Sequence, residues 1–391
     1  MNRKLLVATA CGSALLLTLA ACASPGGDES GDGGGLTGTG SGADCTISAE
    51  VPIAAAFSLT GPAAQYGASQ KNALELAVED LNEVGGVTYA LTVEDDETDP
   101  KQAIQVFEGF INDGASIIIG PTLSNTAKQT DPVAQDAQTP VLGVSNTAAG
   151  ITEIGDYIFR DSLTEDAVIP QTVSAATESL GLEKVVVMYS NDDAFTESGY
   201  QAFVAALDEE GVDVAETITF SKADTDFRAL LDKVKGADAD AIVVSALIDA
   251  AVPLVTQARD IGIDLPIIGG NGFNSPALIS GAGDAAEGVI VGAAWNSASD
   301  NEQNVAFIDD YTAAFDAAPD QFSAQAYAGM QIIDHAVRAG CSGEREDIKE
   351  NLGNVTDVPT VLGEISLNEN RDAVHDALVQ VVEDGKFAIL K

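Results

Sequence analysis

Histidine is almost missing from this chain: 391 residues contain two, His335 and His375. Neither has a Cys, Asp or Glu partner at metal-ligand spacing, so the sequence offers no zinc centre and no histidine base, and both read as structural or solvated residues. Basic residues are also scarce, with 18 Lys plus Arg against 61 Asp plus Glu and a formal charge of -43. Such a surface repels phosphate backbones, which excludes nucleic-acid binding, and its ordinary use is solubility. Aromatics make up 5% of the chain, a lean composition that suits close-packed α/β layers better than an aromatic-rich sandwich. No phosphate loop ending in Gly-Lys-Ser/Thr occurs, and Gly269-Gly270-Asn271-Gly272 fails the dinucleotide pattern. Gly143-Val144-Ser145-Asn146-Thr147 lacks the second Gly of a nucleophile elbow. Asp95-Asp96-Glu97-Thr98-Asp99 has calcium-like acidity without the loop's Gly or closing Glu. Neither a cofactor nor a metal is called for.

What is present begins with an export signal over residues 1–21. Arg3 and Lys4 precede an apolar run that ends in Leu19-Ala20-Ala21-Cys22, a basic start and small-residue cut site that describe a secretory signal rather than a spanning helix. The last four residues look like a bacterial lipobox, which makes Cys22 the acylated first residue of the mature chain. Residues 22–44 are mostly Gly, Ser, Thr and Asp. They read as a flexible linker spanning on the order of 25 Å, from roughly 5 to 6 Å times the square root of its length. A lipid anchor with such a tether would hold a folded body at the outer face of the membrane. Once Cys11 leaves with the signal and Cys22 carries lipid, Cys45 and Cys341 remain. Outside the cytoplasm two leftover thiols are expected to form one disulfide.

From residue 46 onward, apolar runs of strand length alternate with amphipathic runs of helix length. Strands are expected at 46–57, 89–94, 116–120 and 140–144, with helices between them. The helix after Thr98 opens on Asp99-Pro100, a capping residue followed by a proline at the first helical position. A second set of strands is expected at 184–189, 214–220, 240–245 and 265–269, then two consecutive helices at 307–318 and 324–339, and a tail of short strands over 359–390. Regular alternation argues for parallel sheets with helices on both faces, that is, an α/β fold. Open parallel sheets bind ligands at the carboxyl ends of their strands. The loops there are small, hydroxylated and Gly-rich: Leu59-Thr60-Gly61-Pro62, Gly120-Pro121-Thr122-Leu123-Ser124, Ser145-Asn146-Thr147-Ala148 and Gly269-Gly270-Asn271-Gly272-Phe273. They are suited either to cradling a carboxylate or to ordinary turns.

Taken in order, these segments resemble the leucine/isoleucine/valine-binding family of periplasmic binding proteins. The likeness is carried by Ser58-Leu59-Thr60-Gly61-Pro62 with Tyr66-Gly67, by Ala77-Val78-Glu79-Asp80-Leu81-Asn82, and by Thr98-Asp99-Pro100 with Ile119-Gly120. It continues through Asn191-Asp192-Asp193-Ala194-Phe195, Asp226-Phe227, Glu287-Gly288-Val289 and Ala326-Tyr327. The resemblance implies a type I periplasmic-binding fold: two doubly wound lobes joined by a three-crossing hinge, with crossings near residues 160, 295 and 362. Lobe one would be 46–160 plus 296–361, and lobe two 161–295 plus 362–391. It implies a receptor that traps a small solute, such as a branched-chain or other amino acid or a related carboxylate or amide, and hands it to an ABC permease in the membrane. A sensor that docks on a membrane kinase or channel is the alternative. No enzymatic activity is implied. Carried over by position, Ser124, Ser145 and Thr147 fall where the family meets a ligand carboxylate and ammonium, with Asn146 and Ala149 as near-equal candidates in that loop. Tyr66 would wall the lobe-one side. Phe195 stands where a cleft tyrosine is common, and Asn271 where amino-acid binders carry an acidic partner for the ammonium. Asp192, Asp193 or Asp249 would have to substitute for that acid, or the ligand has no ammonium. Phe195 and Tyr327 line the cleft or pack in the core, and Trp295 lines the cleft or packs beneath the hinge.

Overall fold

The computed structural model describes residues 35–390. The export signal, Cys22 and the first part of the linker lie outside the described residues. In lobe one, β1 (Glu50–Phe57) leads to α1 (Ala64–Val84), β2 (Thr88–Asp95), α2 (Pro100–Asn112), β3 (Ile117–Ile119), α3 (Ser124–Asp136), β4 (Val141–Gly143) and β5 (Ile158–Arg160). The five strands run parallel in the order β2-β1-β3-β4-β5. Each residue of β3 is buried, which is what a strand covered by helices on both faces demands and why it reads as an unbroken apolar run rather than an alternating one. The Asp99 carboxylate accepts from the Lys101 and Gln102 amides at 2.7 and 3.2 Å and so caps α2.

After β5 the chain enters lobe two through α4 (Glu165–Leu180). There follow β6 (Lys184–Ser190), α5 (Ala194–Glu209), β7 (Asp213–Phe220), α6 (Arg228–Gly236), β8 (Ala241–Ser245), α7 (Ile248–Asp260), β9 (Ile267–Gly269), α8 (Pro276–Ala282) and β10 (Ile290–Ala293). It then returns to lobe one for α9 (Glu302–Phe315), α10 (Gln321–Gly340) and α11 (Arg345–Leu352), and for the short strands β11 (Val358–Thr360), β12 (Gly363–Leu367) and β13 (Ala373–Val374). Finally β14 (Leu378–Glu383) and β15 (Lys386–Ile389) complete a seven-stranded sheet of order β15-β14-β10-β9-β8-β6-β7. β14 pairs antiparallel to β10, and β15 antiparallel to β14. Apolar clusters cover both faces of each sheet. The structure is therefore α/β with two doubly wound lobes and three crossings.

Two boundaries differ from the sequence reading. The third crossing falls between Val374 and Leu378 rather than near 362. Ile365, Leu367 and Ala373 bury their side chains in the lobe-one core, and β12 pairs only with β11 and β13. The linker reading also ran too far. Leu36 packs against the lobe-one core, Thr37 pairs with Ser342 and Thr39 with Thr46, and the Gly38 amide donates to the Cys341 carbonyl at 2.8 Å. Backbone pairing to distant segments holds a stretch whose composition alone describes a coil. In the same corner Cys45 and Cys341 are joined as a disulfide with their Cα atoms 5.3 Å apart, within the range such a bridge needs. Trp295 is buried in the lobe-one core, and its indole N–H donates to Asn304 Oδ1 at 2.6 Å.

Candidate functional site

The carboxyl ends of both sheets face one another across a cleft. Lobe one contributes Tyr66 from the first turns of α1, Thr122, Leu123 and Ser124 from the loop that starts α3, Ser145 and Thr147 from the loop after β4, and Gln321, Phe322 and Gln325 from the start of α10. Lobe two contributes Phe195 from α5, Leu247 after β8, and Asn271 and Gly272 after β9. Between them lies a small cavity of about 30 Å³. These positions converge because parallel strands all end on the same side of their sheet, so their loops crowd one edge.

The loop after β4 is held by Arg160, the last residue of β5. Its guanidinium is buried and donates to the Asn146 and Ala148 carbonyls at 2.8 and 2.7 Å, while Nε donates to Asp372 Oδ1 at 2.6 Å. A rigid fork with five donors fits a bend that turns two carbonyls inward. Beside it, the Ser145 hydroxyl donates to the Thr122 carbonyl at 2.6 Å and accepts from Gln70 Nε2 at 2.7 Å.

Direct hydrogen bonds tie the lobes together around the cleft. The Tyr66 hydroxyl donates to the Gly272 carbonyl at 2.9 Å and accepts from the Ile248 amide at 2.8 Å. Its ring stacks at a tilt on Phe322, centroids 4.3 Å apart. Gly272 has no room for a side chain, since a Cβ would be driven into the Ala246 carbonyl and against Phe195. Asn125 donates to Asp193 Oδ2 at 2.7 Å and accepts from the Ala194 amide at 2.9 Å, and the Ala149 amide donates to Ser198 Oγ at 3.0 Å. Gln321 Nε2 donates to Asn271 Oδ1 at 3.3 Å, and Asn271 Nδ2 donates to Glu165 Oε1 at 2.7 Å. The two lobes are thus bonded directly to one another around the cleft.

Tyr66 is the one titratable residue of the lining, and burial, the larger influence, raises its pKa despite the Ile248 bond that lowers it. Glu165 stands immediately behind Asn271, buried at 1% exposure, and desolvation pushes its carboxyl up to about 7 against the opposing pull of the Asn271 bond. Burial also raises Asp193, countered by the Thr196 amide and Lys222. Among the described residues no group of three or more His, Cys, Asp or Glu side chains is placed to hold a metal ion.

Of the residues singled out in the sequence, Tyr66, Ser124, Ser145, Thr147, Phe195 and Asn271 line the cleft. Two do not. Asn146 is fully buried behind the loop, where Nδ2 donates to the Pro121 carbonyl at 2.8 Å. Tyr327 points away along α10, packing on Phe307 and donating to Asp80 Oδ2 at 2.6 Å. None of Asp192, Asp193 and Asp249 is in the lining; Asp192 instead accepts from Ser221 and the Lys222 amide. Sequence reasoning missed Arg160, Glu165 and the α10 trio Gln321, Phe322 and Gln325. Arg160 carried a legible signal, a cation inside the apolar run Ile158-Phe159-Arg160, which requires a buried partner.

A two-lobed α/β clamp with a cleft at its strand ends, where hydroxyl and amide groups stand among apolar walls, defines the class of extracytoplasmic solute-binding proteins. The chain belongs to the periplasmic binding protein family, whose model matches residues 50–386. It is 27% identical over 327 residues to the leucine-, isoleucine-, valine-, threonine- and alanine-binding protein of Pseudomonas aeruginosa, covering 82% of this chain and 87% of that one. Among solved structures it resembles the branched-chain amino acid transporter substrate-binding protein LivJ of Streptococcus pneumoniae in complex with isoleucine. That match has a TM-score of 0.81 and 27% identity over 87% of this chain and 98% of the other. A solute-binding protein of an ABC transporter from Rhodopseudomonas palustris BisB5, in complex with 3,4-dihydroxybenzoic acid, shares the fold at a TM-score of 0.79 and 23% identity, covering 87% and 96%.

Proposed function

We propose that the chain is the lipid-anchored solute receptor of an ABC importer, closing on a small carboxylate- or amide-bearing solute and presenting the closed form to a membrane permease. The observation that carries this reading is the ring of inter-lobe hydrogen bonds around a cleft lined by strand-end loops of both sheets. Such bonds exist only while the lobes are together, so they give a permease something to distinguish. The relatives support the solute class: the P. aeruginosa protein is named for leucine, isoleucine, valine, threonine and alanine, and the S. pneumoniae structure holds isoleucine. The reading is one of binding without turnover, because the lining pairs neutral hydroxyl and amide groups with apolar walls and contains no carboxyl, imidazole or amine to serve as a base. Cys22 supplies the anchor.

A thermal-shift panel of amino acids, amides, urea, short peptides and organic acids tests the solute. A true ligand at about 100 times its dissociation constant stabilises the fold by about 2.7 kcal/mol. A panel without any shift contradicts the reading. Labelling with a radioactive fatty acid, lost in Cys22→Ser, tests the anchor.

A further inference from the structure

Most polar groups of the cleft are already spoken for. Thr122 Oγ1 donates to Gln70 Oε1 and accepts from the Ser58 amide. The Ser145 and Tyr66 hydroxyls each hold one donor bond and one acceptor bond to protein. Asn271 is fixed at both ends, by Glu165 and by Gln321, and Gln321 Oε1 accepts from Asn274 Nδ2 and the Ala294 amide. Ser124 Oγ accepts from the Ala148 amide at 3.3 Å, which leaves its hydroxyl proton free to donate. The Thr147 hydroxyl leans toward the Glu165 carboxyl without reaching hydrogen-bonding geometry.

Gln325 is different in kind. It is 1% exposed, it lines the cleft, and neither its Nε2 nor its Oε1 meets a partner. A buried carboxamide with both ends unmatched is costly, and the lining gives it nothing to bond within the protein. The position where the resemblance expects an acid for an α-ammonium holds Asn271, whose carboxamide is engaged on both sides, and no carboxylate reaches the lining. A cation placed here would touch only neutral oxygens of the lining beside Phe195, Phe322, Leu123 and Leu247, while Glu165, Asp193, Asp249 and Asp320 act from outside the lining, which is weak compensation for its lost hydration.

Resting on the solute-binding reading, we infer that Gln325 is the specificity-determining residue of the cleft, and that it reads a hydroxyl or amide on a carboxylate or neutral solute that carries no ammonium group. Ser124 and Thr147 supply hydroxyl donors for the carboxylate, and Gln325 answers the second polar group with a donor, an acceptor or both.

Matched probes test this on the intact mature protein by titration calorimetry. Leucine, 2-hydroxy-4-methylpentanoate and 4-methylpentanoate differ only at one substituent, and benzoate with 4-hydroxybenzoate gives an aromatic pair. In the wild type the hydroxylated member of the series that binds is preferred over its hydroxyl-free partner by about tenfold, as one satisfied buried hydrogen bond predicts, and leucine binds more weakly than its hydroxy acid. Gln325→Met, of similar length and apolar, abolishes the hydroxyl preference while keeping the apolar contacts. Should that variant fold poorly, as judged by its unliganded melting temperature, Gln325→Glu serves instead: it weakens every carboxylate probe and admits leucine. Tight leucine binding by the wild type overturns the inference while leaving the solute-binding reading intact. A hydroxyl preference that survives Gln325→Met overturns the role of Gln325. No binding by any probe contradicts the solute-binding reading itself.

Discussion

Replacing Tyr66 by Phe removes one oxygen and two hydrogen bonds that join the lobes, to the Gly272 carbonyl and from the Ile248 amide. The ring stays, so its stacking on Phe322 and its place in the lobe-two apolar cluster are kept. Each bond contributes a net stabilisation of about 1 kcal/mol, giving about 2 kcal/mol in the closed form. In an open form water replaces the lost partner at both backbone groups, so the cost falls on closure alone. Because ligand affinity scales with the population of the closed form, about 2 kcal/mol becomes roughly a 30-fold rise in Kd. Titration calorimetry of the best panel ligand, with small-angle scattering of free and saturated protein, reads both quantities. The account expects weaker binding, a nearly unchanged melting temperature without ligand, and full compaction at saturation. An unchanged Kd together with a lowered unliganded melting temperature would refute it, since Tyr66 would then be a core residue bonded alike in both states.

Glu165→Gln keeps an oxygen for Asn271 and removes the titration. The folded pKa of Glu165 is raised to about 7 from 4.5, so the native state holds the proton more tightly, and this residue's contribution to stability declines as pH rises between those values. Urea midpoints at pH 5 and pH 8 should converge in the variant relative to wild type, by on the order of 3 kcal/mol at most; an identical pH dependence in both proteins counts against a buried, proton-binding Glu165. Joint replacement of Cys45 and Cys341 by Ser opens a bridge across a sequence separation of 296 residues, with an expected loss of about 3 to 5 kcal/mol in chemical unfolding. A loss below about 1 kcal/mol would mean that the unfolded chain gains little freedom. Arg160→Met strips two buried carbonyls and Asp372 of their donor and is expected to cost about 3 to 5 kcal/mol and to abolish ligand binding. A variant that binds normally would show that the loop after β4 holds its shape unaided.

The alternation of strands and helices, and the small-residue loops at strand ends, were legible because both are local: a period of apolar residues and a run of Gly, Ser and Thr need no partner to be read. What was not legible depends on distant partners or on helix phase. Gln325 and Tyr327 are two residues apart on α10, which turns them about 200° from one another, so one faces the cleft and the other Phe307. Residues 36–44 look like linker, yet Ser342 and Cys341 supply the backbone partners that order them. The short strands β12 and β13 were visible in the tail, but only packing decides which lobe they join. Glu165 is one acid among 61 Asp and Glu, and nothing local marks it as the one placed behind Asn271.

The central claim is that two hinged lobes grip one small molecule and leave it chemically unchanged. The direct measurement titrates the mature protein with the best panel ligand, follows the radius of gyration by scattering, and recovers the ligand for mass spectrometry. The account predicts one ligand per chain, compaction that saturates with binding, and recovery of the molecule intact. Binding without compaction, or a recovered molecule of altered mass, contradicts it.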